Sequence, residues 1–357
     1  MGLLSLFGFG GLPPGVARAT LVLGEGASLQ QAGGLLEALQ SKIGPIALGY
    51  FGDATYSGAL PSFNLALQQD KAAALLRKIQ PARLIILALR GDQTHLVQAA
   101  ACPAYWINAS DHHAANAGCK AITVSDPKLT QSINGAVLTG NPLLNMMQLP
   151  HMPATDTICE RFKEQREKDR WLGYFAATGE GEEEIAYAIF NRLIRHKMGL
   201  MMLAPQDPAR CEPVYRESIK YRLQTIRHNR LSTSFVPLQT RVYYIEEPQP
   251  LAALYACADF VVAGGTLHNS AQQVPDLMTP MLHGKPVIVG AAQRDDALVH
   301  AAITDNAVLA GDNEEAVFQH ARGLLDAPAA RERLGSAGKD WLQAQAGALA
   351  RVLALIE

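Results

Sequence analysis

The chain of 357 residues is sparing with charge, has no C-x-x-C pair and contains no long apolar run, and each absence closes off a class of function. Only 18% of residues are charged and the formal net charge is -2, so no basic stripe exists to hold a nucleic-acid backbone, and nucleic acid is not an expected partner. Bulk charge gives no pull on acidic partners either. The five cysteines (Cys102, Cys119, Cys159, Cys211, Cys257) are scattered, odd in number and free of any C-x-x-C pair, which argues against a disulfide framework or a zinc site. A reducing cytoplasm is the simplest setting. The opening run MGLLSLFGFGGLPPGVARA is too short and too glycine-rich to span a membrane and lacks the basic region of a secretory signal. It could touch a membrane surface peripherally; with no basic face for anionic lipid, a locally packed arm is the favoured reading. Gly8-Phe9-Gly10-Gly11 is no dinucleotide fingerprint, because no strand precedes it.

What is present is an alternation of apolar runs and helix-sized segments, over a length that exceeds what one hydrophobic core usually serves. The stretch Phe260 to Gly290 shows the pattern best. Phe260 to Ala263 reads as a buried strand, Gly264 and Gly265 permit a tight turn and close approach to a ligand, Gln273 to His283 has helical length, and Gly284-Lys285-Pro286 leads into a strand from Pro286 to Val289. Ligands of open α/β sheets sit at such carboxyl ends of strands, beside helix N-termini that favour anions. An ordinary strand-helix-strand unit without a ligand would read the same way, since fold alone does not specify function.

Along the chain, Ala19 to Gly24 predicts a fully apolar strand, followed by a turn at Glu25-Gly26-Ala27 and a helix from Ser28, as N-cap, to Gln40. Further strands are expected at Ile46 to Phe51, Arg83 to Leu89, Ala104 to Ala109, Ala121 to Val124 and Ala136 to Thr139, with helices at Leu65 to Ile79 and Thr94 to Ala101. A second series follows. Its strands are Trp171 to Ala177, Gly199 to Ala204, Arg241 to Ile245, Phe260 to Ala263 and Ala307 to Ala310. Its helices are Glu182 to His196, Glu212 to His228, Leu251 to Ala258 and Glu314 to Leu325, with a last one from Ala329 or Lys339 to Ile356. The alternation implies an α/β protein of two Rossmann-like domains with mostly parallel sheets flanked by helices, and a cleft between facing carboxyl ends of strands. The expected division is 1–145 as an N-terminal, acceptor-side domain, 146–170 as a charged linker, and 171–338 as a nucleotide-sugar-side domain. Residues 339–357 form a closing helix that could pack back on the first domain.

Several short runs occur in fixed order. They are Thr178-Gly179-Glu180-Gly181-Glu182-Glu183-Glu184-Ile185, Leu203 to Arg210 (LAPQDPAR), Leu254-Tyr255-Ala256-Cys257-Ala258-Asp259, Gly264-Gly265-Thr266-Leu267 and Gly284-Lys285-Pro286-Val287, with Thr139-Gly140-Asn141 before the linker and Gly347-Ala348-Leu349 near the end. Together they resemble the bacterial 3-deoxy-D-manno-octulosonic acid (Kdo) transferases, glycosyltransferases of GT-B fold that move Kdo from CMP-Kdo to lipid A. The family's counterparts read S-T-H-x-G-E-E-E-I, P-R-H-P-E-R, L-Y-A-x-A-D, G-G-S-L, G-K-P-V, T-G-N and G-A. The resemblance implies a GT-B arrangement and donor contacts from Thr178, Glu180, Gln206, Gly264, Gly265, Thr266, His268 and Asn269.

The chemical residues depart from the family. Inverting glycosyl transfer needs a base at the acceptor hydroxyl and help for the leaving phosphate. The family's base is a Glu in the turn after the first strand; the equivalent position here is Ser28, and a neutral serine is no base unaided. Glu25, in the same turn, is the carboxylate that could substitute, or it is a solvated turn residue. The family's E-x-E-x-W-P-N falls near Leu87 to Thr94, where Asp92 is the one acid; Arg90 and Asp92 could contact an acceptor or form a loop ion pair. Gln206 and Asp207 replace the Arg and His of P-R-H-P, and Gln offers only neutral hydrogen bonds. G-D-T-M-G-E-L becomes Ile245 to Leu251 (IEEPQPL), with prolines where N–H donors would face a phosphate. G-G-H-N-P-L-E-P has no counterpart at Pro275 to Pro280, and His268-Asn269 is either its displaced remnant or chance.

Asp111-His112-His113 offers no third ligand position, so no metal site is expected. The acids from Glu182 to Glu184 fit a solvated first helical turn, and Arg161 to Arg170 a solvent-facing linker helix. These readings imply a bacterial cell-envelope enzyme of lipopolysaccharide biosynthesis, cytoplasmic or peripheral to the inner membrane. It would need no cofactor beyond a nucleotide-sugar donor, CMP-linked in the family, and would act on a glycan or lipid acceptor. Two alternatives stand beside it: a non-catalytic relative that binds a glycan, lipid head group or protein, and an epimerase of the same fold acting on a UDP-sugar.

Overall fold

Strands too apolar to face water on either side organise both halves of the protein. A computed structural model describes residues 16–52, 55–65, 69–144, 149–150, 156–246, 251–269 and 273–357. Two compact units are present: one holds the chain up to Gln148 together with Ala344–Glu357, the other holds Leu149–Gln343. The second break falls at 343/344, a few residues beyond the expected 338/339.

The first unit runs Thr20–Glu25 (β1), Gly26–Gln31 (α1), Gly33–Ile43 (α2), Ile46–Phe51 (β2), Ser62–Asn64 (β3), Gln69–Ile79 (α3), Arg83–Leu87 (β4) and Thr94–Ala100 (α4). Ala104–Ile107 (β5), Ala121–Val124 (β6), Leu129–Ser132 (α5) and Ala136–Leu138 (β7) complete it. Every pairing is parallel, in the order β3-β2-β1-β4-β5-β6-β7, so the order reverses between β1 and β4. The alternation of a strand sets the two faces. Leu21, Leu23, Leu84, Ile86 and Trp106 pack with Leu76 and Ile79 of α3 and Leu96 of α4, whereas Val22, Ile85, Leu87, Tyr105 and Ile107 pack with Leu29, Leu36 and Leu39 of α1 and α2. Each such side chain contributes on the order of 2 kcal/mol on burial.

The second unit opens with Asp156–Cys159 (α6) and Lys163–Glu167 (α7), then Trp171–Thr178 (β8), Glu182–His196 (α8), Gly199–Pro205 (β9), Cys211–Ser218 (α9), Thr225–Arg227 (β10) and Val242–Tyr244 (β11). It continues with Phe260–Ala263 (β12), Met278–Leu282 (α10), Val287–Val289 (β13), Ala297–Thr304 (α11), Leu309–Ala310 (β14), Glu314–Asp326 (α12) and Pro328–Gln345 (α13). Its order, β10-β11-β9-β8-β12-β13-β14, is again parallel throughout and reverses between β8 and β12. Phe175, Met201, Val262 and Ile288 face Phe190 of α8 and Val317 of α12; Tyr174, Met202 and Val261 face Phe162, Leu254 and Tyr255. Two Rossmann-like parallel sheets flanked by helices are the domain composition of a GT-B chain.

Ala348–Leu355 (α14) returns to the first unit, where Val352 and Ile356 are buried among the side chains of α1 and α2. Arg351 of this helix and Gln345, at the end of α13, tie down Thr139-Gly140-Asn141. Arg351 donates from Nε and Nη2 to the Thr139 carbonyl at 2.9 and 2.7 Å, and the Asn141 N–H donates to Gln345 Oε1 at 2.7 Å. Gly140 has φ of 78°, and a Cβ there would come 2.5 Å from the Ala344 carbonyl oxygen.

Several expectations are corrected. The helix from Ser28 to Gln40 is two helices, and Glu25, not Ser28, is the N-cap of the first. The long helix from Glu212 stops at Ser218; Arg222 takes a left-handed φ of 53°, and Thr225–Arg227 pairs with β11 as an edge strand. In place of a helix from Gln273, α10 starts at Met278: Pro275 disfavours helix before it, and Asp276 Oδ1 accepts from Thr279 N at 3.0 Å. The strand Ser62–Asn64 and the helix Ala297–Thr304 were not expected. The linker is not solvent-facing throughout: Phe162 and Gln165 are buried, and Arg166 donates to both oxygens of buried Asp259 at 2.8 Å. Cys159 and Cys257 form a disulfide across a separation of 98 residues, which no local spacing signals, so the cysteine count misled about pairing. Residues 1–15 of the N-terminal arm and Glu247 to Pro250 lie outside the described residues. Among the described residues no helix is long and apolar enough to cross a membrane.

Candidate functional site

Carboxyl ends of strands at a reversal of strand order are where an open α/β sheet takes ligands, and each unit has one such point. In the first, β1 ends at Gly24-Glu25. A Cβ on Gly24 would meet the Leu29 side chain at 3.1 Å and the Leu87 carbonyl oxygen at 3.4 Å, so the strand passes close beneath α1. Glu25 is exposed and makes no side-chain capping bond. Ser28 is half-buried inside α1, its carbonyl accepting from Ala32 N at 3.1 Å. Asp92 is occupied differently: its Oδ1 accepts from Thr94 N at 2.8 Å, closing the turn into α4. Hydrogen bonding from Thr94 holds its carboxyl below the ordinary 3.8, the opposite of the upward shift a base working near neutral pH needs. Asp111 accepts from Gly91 N at 2.7 Å and His113 N at 3.0 Å, and the His112 and His113 rings stack at 4.3 Å. Among the described residues no group of His, Cys, Asp and Glu is placed to hold a metal ion.

In the second unit the same kind of point is closed from within. Glu182, the first residue of α8, is 0% exposed. Its Oε2 accepts from Gly179 N at 2.6 Å and Gly265 N at 2.8 Å, and its Oε1 from Leu267 N at 2.6 Å and His268 N at 3.4 Å. One carboxylate thus staples the turn after β8 to the turn after β12. Gly264 has no room for a side chain, since a Cβ would sit 2.0 Å from the Ala177 carbonyl oxygen. Thr266 is buried, donates from Oγ1 to Ala263 O at 2.5 Å and accepts from Gly290 N at 2.9 Å, which ties in the end of β13.

Beside this staple, buried Thr178 donates from Oγ1 to Glu183 Oε1 at 2.9 Å, and Arg210 Nη2 meets Glu183 Oε2 at 2.7 Å. Arg210 Nη1 also reaches the Thr178 carbonyl at 3.3 Å. Gln206 is half-buried and donates its backbone N–H to that carbonyl at 3.0 Å. Asp207 caps the following turn, accepting from Ala209 N at 2.9 Å. Glu180, His268 and Asn269 are exposed. The structure therefore gathers Thr178, Gly264, Gly265 and Thr266 at one point, yet spends their polar groups and close approaches on one another.

Glu182 and Glu183 were expected to be solvated, and their burial corrects that. The signal was available: Glu182 lies four, seven, eight and eleven residues before Ala186, Ile189, Phe190 and Leu193, which places it on the buried face of α8. Arg210 closes the LAPQDPAR run, at the position of the final Arg of P-R-H-P-E-R, but the sequence alone assigned it no contact; the structure pairs it with Glu183. A cleft of about 220 Å³ adjoins the staple, lined by Leu267, His268, Asn269, Gly290, Asp312 and Glu314 among others, with no lysine or arginine in its lining. Arg294 lies next to it, its Nη2 on Asp312 at 3.1 Å and its Nε on the Gly290 carbonyl at 2.8 Å.

No family model matches the chain. The 3-deoxy-D-manno-octulosonic acid transferase of Haemophilus influenzae is 27% identical over 194 residues, 53% of this chain and 44% of that protein. The enzyme of the same name from Bordetella pertussis is 28% identical over 193 residues, 51% of this chain and 43% of that protein. Over the matched half of its length the chain is similar to the Kdo transferases. The matched segment spans less than half the length of either curated relative. Among solved structures, the C-terminal CMP-Kdo binding domain of WaaA from Acinetobacter baumannii matches with a TM-score of 0.49 and 22% identity, over 54% of this chain and 100% of that one. MurG from Acinetobacter baumannii gives 0.44 and 12%, over 95% and 99%. UDP-GlcNAc 2-epimerase from Neisseria meningitidis gives 0.37 and 13%, over 94% and 99%.

Proposed function

We propose that the protein is a glycosyltransferase of Kdo-transferase type that moves a sugar from a nucleotide-activated donor to a cell-envelope glycan or lipid acceptor, peripheral to the inner membrane on its cytoplasmic side. The observation that carries this reading is Glu25: an exposed carboxylate at the carboxyl end of β1, where the first sheet reverses, in a chain related to the Kdo transferases. In the reaction, Glu25 takes the proton of the acceptor hydroxyl as its oxygen bonds to the anomeric carbon, and the bond from that carbon to the leaving phosphate breaks with inversion. Calorimetric titration with CMP, UDP, GDP and CMP-Kdo tests it; binding of at least one at millimolar concentration or below is expected, and binding of none overturns it.

A second reading, a non-catalytic relative that binds a glycan, lipid head group or protein partner, draws support from Asp92 and Glu182, both consumed in holding backbone rather than left for chemistry. It requires Glu25→Gln to leave every activity unchanged, whereas the catalytic reading requires sugar transfer to fall.

A further inference from the structure

We propose that Glu182 determines donor specificity: it fills the anion-accepting nest at the second sheet's switch point with the chain's own carboxylate, so that the adjoining cleft recognises the nucleoside of the donor and gains nothing from its phosphate. The inference rests on the nucleotide-sugar reading above and deepens it. Glycine-rich turns beside a helix N-terminus ordinarily turn their N–H groups toward a ligand phosphate. Here the N–H groups of Gly179, Gly265, Leu267 and His268 all point at Glu182, at 2.6, 2.8, 2.6 and 3.4 Å. Among the described residues no ion pair neutralises that buried carboxylate; Arg210 is engaged with the neighbouring Glu183.

Leu267 and His268 belong to both the nest and the cleft wall, so a phosphate settling there would meet donors already used and a negative charge with little solvent to screen it. The far wall is no more hospitable. Asp312 and Glu314 line it, Asn313 caps α12 by accepting from Ala316 N at 2.9 Å, and Glu314 and Glu315 sit in the first turn of that helix, where they offset its positive end. Arg294, which reaches the cleft wall, is bound to Asp312 and to the Gly290 and Gly311 carbonyls. What remains is apolar surface from Ile185 and Leu267 with the polar Asn269, suited to a ring and hydroxyl groups and unsuited to an anion.

The test is calorimetric titration of the full chain at low salt with cytidine and CMP, uridine and UMP, and guanosine and GMP. For the pair that binds, nucleoside and monophosphate are expected to agree within about threefold in affinity, and Glu182→Gln is expected to raise the preference for the monophosphate by about fivefold or more. A monophosphate that binds the unaltered chain more than about tenfold tighter than its nucleoside overturns the inference and leaves the nucleotide reading standing. A ratio unmoved by Glu182→Gln in a folded variant overturns the assignment to this residue. Absence of binding by every member of every pair overturns the inference together with the reading beneath it. Should Glu182→Gln fail to fold, the ratio in the unaltered chain decides alone.

Discussion

The two reversal points put their carboxylates to opposite uses. At the end of β1, Glu25 stands exposed, and the nearest neighbour of a Cβ on Gly24 would be the flexible Leu29 side chain. At the ends of β8 and β12, Glu182 is buried and spends both oxygens on backbone N–H groups, while Gly264 lies against the Ala177 carbonyl with no space between. The same strand logic therefore yields an available acid in one unit and an internal staple in the other. An acid at a strand end acquires a role only once its hydrogen bonds are counted.

Paired glycine substitutions give the sharpest contrast. Gly264→Ala forces a Cβ within 2.0 Å of backbone that cannot move aside. About 4 kcal/mol of the second unit's stability, or folding altogether, is expected to go. Gly24→Ala meets a flexible leucine side chain at 3.1 Å. Urea denaturation should register a loss below about 1 kcal/mol there, and equal effects at the two positions would erase the contrast. Glu182→Ala comes next: orphaning its N–H donors should cost about 3 kcal/mol by the same measurement, and an unchanged midpoint would mean that the staple does not hold the loops. Reduction of Cys159–Cys257 with dithiothreitol should cost about 2 kcal/mol and move the second unit's transition while sparing the first.

The smallest effect is expected at Asp92, and its sign follows from linkage. The folded state holds its carboxyl below 3.8, so its contribution is fully present above that value and is lost as pH falls through the lower folded value. Thermal midpoints of Asp92→Asn and the unaltered chain should therefore differ slightly at neutral pH and converge in acid. A gap that widens on acidification would show that Asp92 is not a cap.

Much of the architecture was legible in the sequence because fully buried parallel strands read as apolar runs: β2, β6, β12 and α8 fall at their expected bounds. Elements decided by tertiary partners were not legible. Thr225–Arg227 is a strand because β11 lies beside it, and Arg227 is held by Glu246 and by Glu212, the latter at 2.7 Å; the local pattern there reads as helix. The glycines of the second site were legible as places of close approach, but not what approaches: at Gly264 and Gly290 it is the protein's own backbone. Glu182 was hidden among neighbouring glutamates, and only the helical phase separates its buried carboxylate from exposed Glu184.

The most direct test of the account is sugar transfer by the unaltered chain and by Glu25→Gln, assayed with CMP-Kdo and other nucleotide sugars on envelope lipid and glycan acceptors, with thermal midpoints measured alongside. The account predicts transfer by the unaltered chain, a loss of about a hundredfold or more in the variant, and matching midpoints. Transfer that survives Glu25→Gln undiminished would contradict it.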